Sequence, residues 1–386
     1  MSDFVTRIRD LLNDDAAAGL RIITRYDSAQ LTVTPPAGTL RANGQDVQGE
    51  FGMPNGTTAV TVDSWSSQMS RFELEAEAVA DAIGYPLIRF IGPDGERWTS
   101  SARLSHRQAD ATWRAARNVL EAAGVPFGDI QAATVADPSA LLRWFPLSIL
   151  GGWWHSHVVP APKKAVDQAK ARKIWARDQD TVDAFAGYAR MRPDARSARL
   201  VTSEIIALNA RRRSRMAAKV DDLFGAVTGK EGEQKGPSAV GLGSLPPVLE
   251  SKAPVDVTFG AIEGRWFFSF AGLREFAFDD DVRDDARVLA VALAVLLHLK
   301  AQQRTRLRAG TELIVDVNSS RTEVLRHDGA AEPIELPPMS DLIDVVKRLG
   351  ARVGWGGPVD ISFTEDSILA RLVRNLTKDG AAEDEA

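Results

Sequence analysis

Apolar and polar positions alternate along the chain in blocks that predict a mixed fold. The longest apolar run, ARVLAVALAVLLHLK (286–300), is apolar on every side. It is shorter than the eighteen or so residues that suggest a membrane span. Asp284 and Asp285 open it, and His298 and Lys300 close it, matching the helix dipole. It is expected to be a buried core helix. TTAVTV (57–62) and LTVTPP (31–36) have strand composition between Gly- and Pro-rich turns. Asp63 or Ser64 can then cap a helix that stops at Gly84. PLIRFI (86–91) reads as a strand, and DATWRAARNVLEAAG (110–124) as a helix with a Gly stop. Residues 225–254 are rich in Gly and Pro without apolar periodicity, as in a long flexible loop.

Beyond that loop the order is strands in 257–270, a helix over 284–302, and a hairpin of 312–318 with 321–327 around Ser319-Ser320. A helix over 339–351 and a strand at 358–364 follow. This β-α-β-β-α-β order is that of the ferredoxin-like unit, which RNA-recognition domains share with many unrelated proteins. The class expected is α+β, in one elaborated domain over 1–386. Phe267, Phe268 and Phe270 could stack bases from one strand, but the strand RTEVLRH carries no aromatic. Base stacking on the sheet face is therefore not expected. The acidic tail 379–386 has the composition of a disordered segment.

Charge changes the picture locally. The chain has a formal net charge of −5, which argues against a generally sticky nucleic-acid binder. Yet residues 163–215 hold fourteen Lys and Arg against six Asp and Glu. Arginines interleaved with Trp175 and Tyr188 suit the backbone and bases of a single strand, as they suit a partner's acidic face. The basic segment, within 158–215, is the candidate for a directed contact with an anion. Cysteine is absent, so disulfides and zinc-thiolate sites are excluded, which suits a reducing cytoplasm. The N-terminus lacks the apolar core of a signal peptide.

GGWWHSHVVP (151–160) concentrates two of the five histidines. On a strand, His155 and His157 share a face, as metal ligands would. His106, His298 and His327 are isolated, and no H-E-x-x-H pattern completes a site. The expectation is no metal and no cofactor, with imidazoles bonded to backbone or phosphate. The acidic run FDDDVRDD (278–285) could hold Mg²⁺ but reads as a loop and helix start. No G-x-x-x-x-G-K-[ST], G-x-G-x-x-G or G-x-S-x-G pattern is present. Two other classes stay open: a metal-dependent nuclease using His155, His157 and Asp63, and a protein-interaction scaffold without nucleic acid.

Four blocks, in order, carry a family resemblance. VDSWSSQMSRFE (62–73) resembles D-S-x-x-S-x-x-N-R-x-E, and DPSALLRWFPLSILGGWWHSH (137–157) resembles D-P-x-x-L-L-x-G-x-W-D-S-H. RLVTSEIIALN (199–209) is similar to R-x-x-x-S-E-I-x-A, and RVLAVALAVLLHLKAQQRTRLRAGTEL (287–313) to a long apolar helix followed by an Arg-bearing strand. Together they resemble the backbone subunit of type I-U (I-G) CRISPR surveillance complexes, a Cascade-type member of the RAMP superfamily. The resemblance covers roughly 62–375.

It implies a modified RNA-recognition palm, with 255–375 as its C-terminal part, and inserted thumb or finger elements, for which 158–215 is the RNA-facing candidate. It implies a subunit without catalysis that polymerises with copies of itself along crRNA, beside other CRISPR effector subunits, leaving bases free to pair with target DNA. Ser67 and Arg71 in the first block, Ser156 and His157 in the second, and Arg199 and Ser203 in the third then become RNA-binding candidates. His155 departs from the family's Asp, which removes a carboxylate role there and favours phosphate contact. Ser70 stands where the family has Asn before the Arg. Lys163, Lys164, Arg211, Arg212 and Arg213 join the candidates through the basic segment.

Overall fold

The computed structural model describes residues 2–36, 49–154, 196–214 and 255–375. Helix α1 (Ser2–Asn13) leads into strand β1 (Ala17–Ser28), followed by β2 (Glu50–Gly52), β3 (Thr58–Asp63) and helix α2 (Trp65–Ile83). Hairpin β4 (Ile88–Ile91) and β5 (Arg97–Ser100) precedes four helices: α3 (Thr112–Ala122), α4 (Phe127–Ala132), α5 (Ser139–Trp144) and α6 (Pro146–Gly151). Then come β6 (Trp153–Trp154), β7 (Arg196–Ser197), β8 (Val201–Leu208), β9 (Arg211–Ser214), β10 (Val255–Thr258) and β11 (Ala261–Ser269). The chain continues through α7 (Phe270–Arg274), α8 (Arg283–Gln302), β12 (Arg306–Arg308), β13 (Thr311–Arg326), β14 (Ala331–Pro333), α9 (Met339–Arg352) and β15 (Val359–Ser362). The class is α+β, as expected.

The main sheet is antiparallel and runs β12-β13-β1-β11-β8-β3-β2, with β14 on β13. It curls until Arg308 of β12 reaches the carbonyls of Thr34 and of Val62 at the end of β3, at 2.8 and 2.7 Å. The register sorts the side chains. Leu20, Ile22, Trp266, Phe268 and Val324 enter the core. The opposite face carries Arg21, Arg25, Arg265 and Arg321, paired with Glu323 and Glu263. Phe268 and Phe270 are fully buried, and Phe267 is half-buried on the charged face. That face is therefore a lattice of ion pairs rather than an aromatic platform.

Helix α8 is the core's axis. Every residue from Val288 to His298 is buried, against α1, α2, α6 and α9 and against the sheet through Trp266. A helix apolar all round is stable only when surrounded. Each of its Val and Leu side chains contributes about 1.5–3 kcal/mol relative to exposure. Helix α2 starts at Ser64, whose hydroxyl accepts from the Ser67 backbone N–H, and ends at Gly84, where φ of 65° suits a residue without Cβ.

Three expectations are corrected. Residues 31–36 form no strand; only Val33 bridges Val257. The segment 312–327 is not a hairpin. It is the single strand β13, and both its halves pair with β1. The residues between Asp316 and Arg321 bulge out of it, because the Asp316 carboxylate accepts from the N–H groups of Asn318 and Ser319. The Ser320 hydroxyl donates to the Asp316 carbonyl and accepts from the Arg25 N–H, which returns the chain to the ladder. Finally, β15 pairs in parallel with β4 in a separate three-stranded sheet, β15-β4-β5. The β-α-β-β-α-β order found in the main sheet is instead β1-α2-β8-β11-α8-β13, with β1 between β13 and β11.

His298 lies between Phe72 and Trp266, its Nε2 2.9 Å from the Gln302 amide nitrogen. Burial lowers its pKa to about 3. In the unfolded chain a histidine titrates near 6.5. The folded state thus binds fewer protons, so stability is complete above about pH 6.5 and is lost as pH falls towards 3. Between pH 7.5 and pH 5 this group alone removes on the order of 2 kcal/mol. Urea unfolding at both pH values is expected to show that loss shrinking in His298→Gln.

Candidate nucleic-acid interface

The junction of β3 and α2 builds the most constrained polar cluster. A register irregularity between Thr61 and Asp63 turns Asp63 to the core side, beside Ile205. Its carboxylate is completely buried. Gln68 and Arg71 lie three residues apart on α2, so both reach it. The Gln68 amide donates to Oδ2 at 2.5 Å and Arg71 Nε to the same oxygen at 2.9 Å. Arg308 Nη2 donates to Oδ1 at 3.3 Å, arriving from the far end of the sheet. One anion thus holds two cations, a local charge of +1. Burial lowers the pKa of Arg308, the Asp63 charge opposes that, and the neighbouring Arg71 adds to it.

The two guanidinium side chains keep 25% and 23% of their surface, so they face solvent while fixed from behind. Among the described residues, neither Nη nitrogen of Arg71 has a partner. Such preset forks match phosphate oxygens. The start of α2 adds its unpaired N–H groups and the positive end of its dipole. Arg304 and Arg306 are exposed nearby in sequence; Arg304 is paired with Glu75 at 3.4 Å, and Arg306 forms no ion pair among the described residues.

A second buried acid repeats the pattern. Glu73 accepts from Arg107 Nε at 2.6 Å, and Arg107 Nη1 donates to the carbonyl of Gly152 at 3.0 Å. Burial raises the Glu73 pKa against the pull of Arg107. Arg199 is part of this cluster: burial lowers its pKa, Arg107 adds to that, and Glu73 opposes it. Gly152 has φ of 69°, and a Cβ there would lie 2.6 Å from the Ser197 carbonyl. The close approach lets β6 pair with β7, Trp154 opposite Arg196, as the stem from which residues 155–195 leave.

The candidates named from sequence therefore divide. Arg71 sits in the Asp63 cluster, and Ser67 supplies the capped N–H of α2. Ser203 is buried and its hydroxyl donates to Gln68 Oε1 at 3.0 Å, so it orients the amide that holds Asp63 and faces no solvent. Arg199 belongs to the Glu73 cluster. On β9, Arg212 pairs with Glu50, Arg213 lies 3.7 Å from Asp256, and Arg211 is exposed without an ion pair among the described residues. His155, Ser156, His157, Lys163 and Lys164 lie outside the described residues. Sequence reasoning missed Arg308 as a site residue. The run RTRLR (304–308) signals it, but nothing in it names Asp63 as partner.

Residues 28–180, less than half of the chain, match the family described as CRISPR-associated protein GSU0053. No curated protein matches. The matched stretch includes both buried acids, Asp63 and Glu73, with Gln68, Arg71 and Arg107, whereas Arg199 and Arg308 lie beyond it. The match supports a CRISPR-associated protein. Among the described residues, no helix is long and apolar enough to cross a membrane.

Removing one partner of a buried ion pair is costly because the other charges stay behind. Asp63→Ala leaves Arg71 and Arg308 facing each other without an anion. It is expected to lower the unfolding free energy by about 3 kcal/mol, the low end for such pairs because both guanidinium groups are partly solvated. A urea midpoint unchanged from wild type would contradict this.

Proposed function

We propose that this chain is a non-catalytic subunit of a CRISPR effector complex that grips the guide RNA by its backbone and repeats along it. The observation that carries the reading is the partly exposed arginine pair fixed by buried Asp63 at the start of α2, in which both Nη nitrogens of Arg71 have no partner among the described residues. A preset, partly dehydrated cationic fork holds a phosphate without first paying to order its side chains. It reads no base, which suits a subunit that must accept any guide sequence. The family match over 28–180 supplies the CRISPR context. Bases held by their backbone stay free to pair with target DNA.

The main-sheet connection β1-α2-β8-β11-α8-β13 supports reading this part as an RNA-recognition palm. The two ribbons β6–β7 and β9–β10 then carry the segments 155–195 and 215–254 as inserted elements. The nuclease alternative fits Asp63 poorly. Both its oxygens already accept from arginines, and a divalent cation would have to displace them.

Salt titration tests the reading. Binding of single-stranded RNA should weaken with salt, and neutralising one phosphate-binding arginine should lower the log–log slope by about 0.7. Arg306→Gln and Arg211→Gln change exposed residues without an ion pair among the described residues, so folding should be unaffected. Each is expected to flatten the slope by about that amount. A slope unchanged in both would remove these residues from the RNA path.

A further inference from the structure

We infer that Trp65 is a stacking platform for one base of the bound single strand, an inference that rests on the RNA reading above. Trp65 is the first residue of α2, and its indole remains 52% exposed. Its Nε1 donates to Glu204 Oε2 at 3.3 Å, and the other Glu204 oxygen accepts from the Thr61 hydroxyl at 3.0 Å. The polar edge of the ring is satisfied and tethered, while no aromatic or cationic side chain among the described residues stacks on its face.

The other indoles behave differently. Trp113, Trp153, Trp266 and Trp355 are buried, Trp144 packs partly buried against the core, and Trp98 is stacked on Phe363. Trp154 is exposed, but no hydrogen bond orients it among the described residues. An oriented, half-exposed indole exposes apolar area that its own fold does not use.

Position argues for a nucleobase. Asp63, two residues before, holds Arg71 and Arg308. Arg71 lies six residues along α2, about 9 Å of helix rise. The ring and the arginine pair both adjoin the β3–α2 junction, the ring on the Thr61–Glu204 side and the arginines on the Gln68–Asp63 side, so a strand that rounds the junction meets both. Stacking contributes about 1–3 kcal/mol per base and tolerates any sequence, as a guide-binding surface requires.

The test compares the full chain with Trp65→Ala and Trp65→Phe, on a fluorescein-labelled oligouridine and on the same ribose-phosphate strand lacking its bases. Trp65→Ala is expected to weaken oligouridine binding roughly 5- to 150-fold, with the salt slope unchanged. Binding to the abasic strand should not change, and Trp65→Phe should keep most of the affinity. Thermal unfolding of each variant reports folding, and Trp65→Phe keeps the test valid if the alanine variant is unstable. Equal loss on both strands, or loss on neither, overturns the inference while leaving the RNA reading in place. Loss of self-association in sedimentation with RNA binding intact assigns the ring to a protein contact and also overturns it. A wild-type chain that binds neither strand overturns the RNA reading and this inference together.

Discussion

A single buried carboxylate ties together the end of β3, helix α2 and strand β12. Asp63 ends β3, takes two donors from α2, and receives Arg308 from β12, 245 residues away. The same Arg308 reaches the carbonyls of Thr34 and Val62, so one guanidinium closes the curl of the sheet. Burying a charge is expensive unless it is paired and fully bonded. Here two of the three bonds that offset the cost also fix an arginine at the surface. The structural demand and the cationic fork are the same arrangement.

Helix α2 extends that logic along its length. Glu73 holds Arg107, Glu75 holds Arg304, and Glu77 holds both Arg97 and Arg103. All three acids are largely buried, whereas Arg97, Arg103 and Arg304 are largely exposed. Acids inside and arginines outside present positive charge on the surface of an acidic chain. A chain with net charge −5 can then meet a polyanion locally and stay repelled from it elsewhere.

Local signals were legible in the sequence where one segment decides its own structure. The run 286–300 is apolar on all sides, and Ser64 with Gly84 bounds α2 from both ends. Pairing between distant segments was not legible. Strand β1 (17–28) lies inside the sheet, yet both its partners lie more than two hundred residues later, and nothing in AAGLRIITRYDS names them. The residues Asn318-Ser319-Ser320 do have turn chemistry, but Asp316 uses it to make a bulge instead of a reversal. The site followed the same division. Arg71 stood out through the block D-S-x-x-S-x-x-x-R, whereas its partner Arg308 depends on how the sheet curls. Ser203 shared a block with Arg199, but strand alternation sends it inward to Gln68.

The central claim is that the arginines fixed on Asp63 meet an RNA backbone. Purification at low salt from cells carrying the chain's own locus, followed by extraction and sequencing of bound nucleic acid, addresses it most directly. The account predicts short RNAs of uniform length that share a repeat-derived end. A pure protein fraction free of nucleic acid, or one holding only heterogeneous fragments, would contradict it.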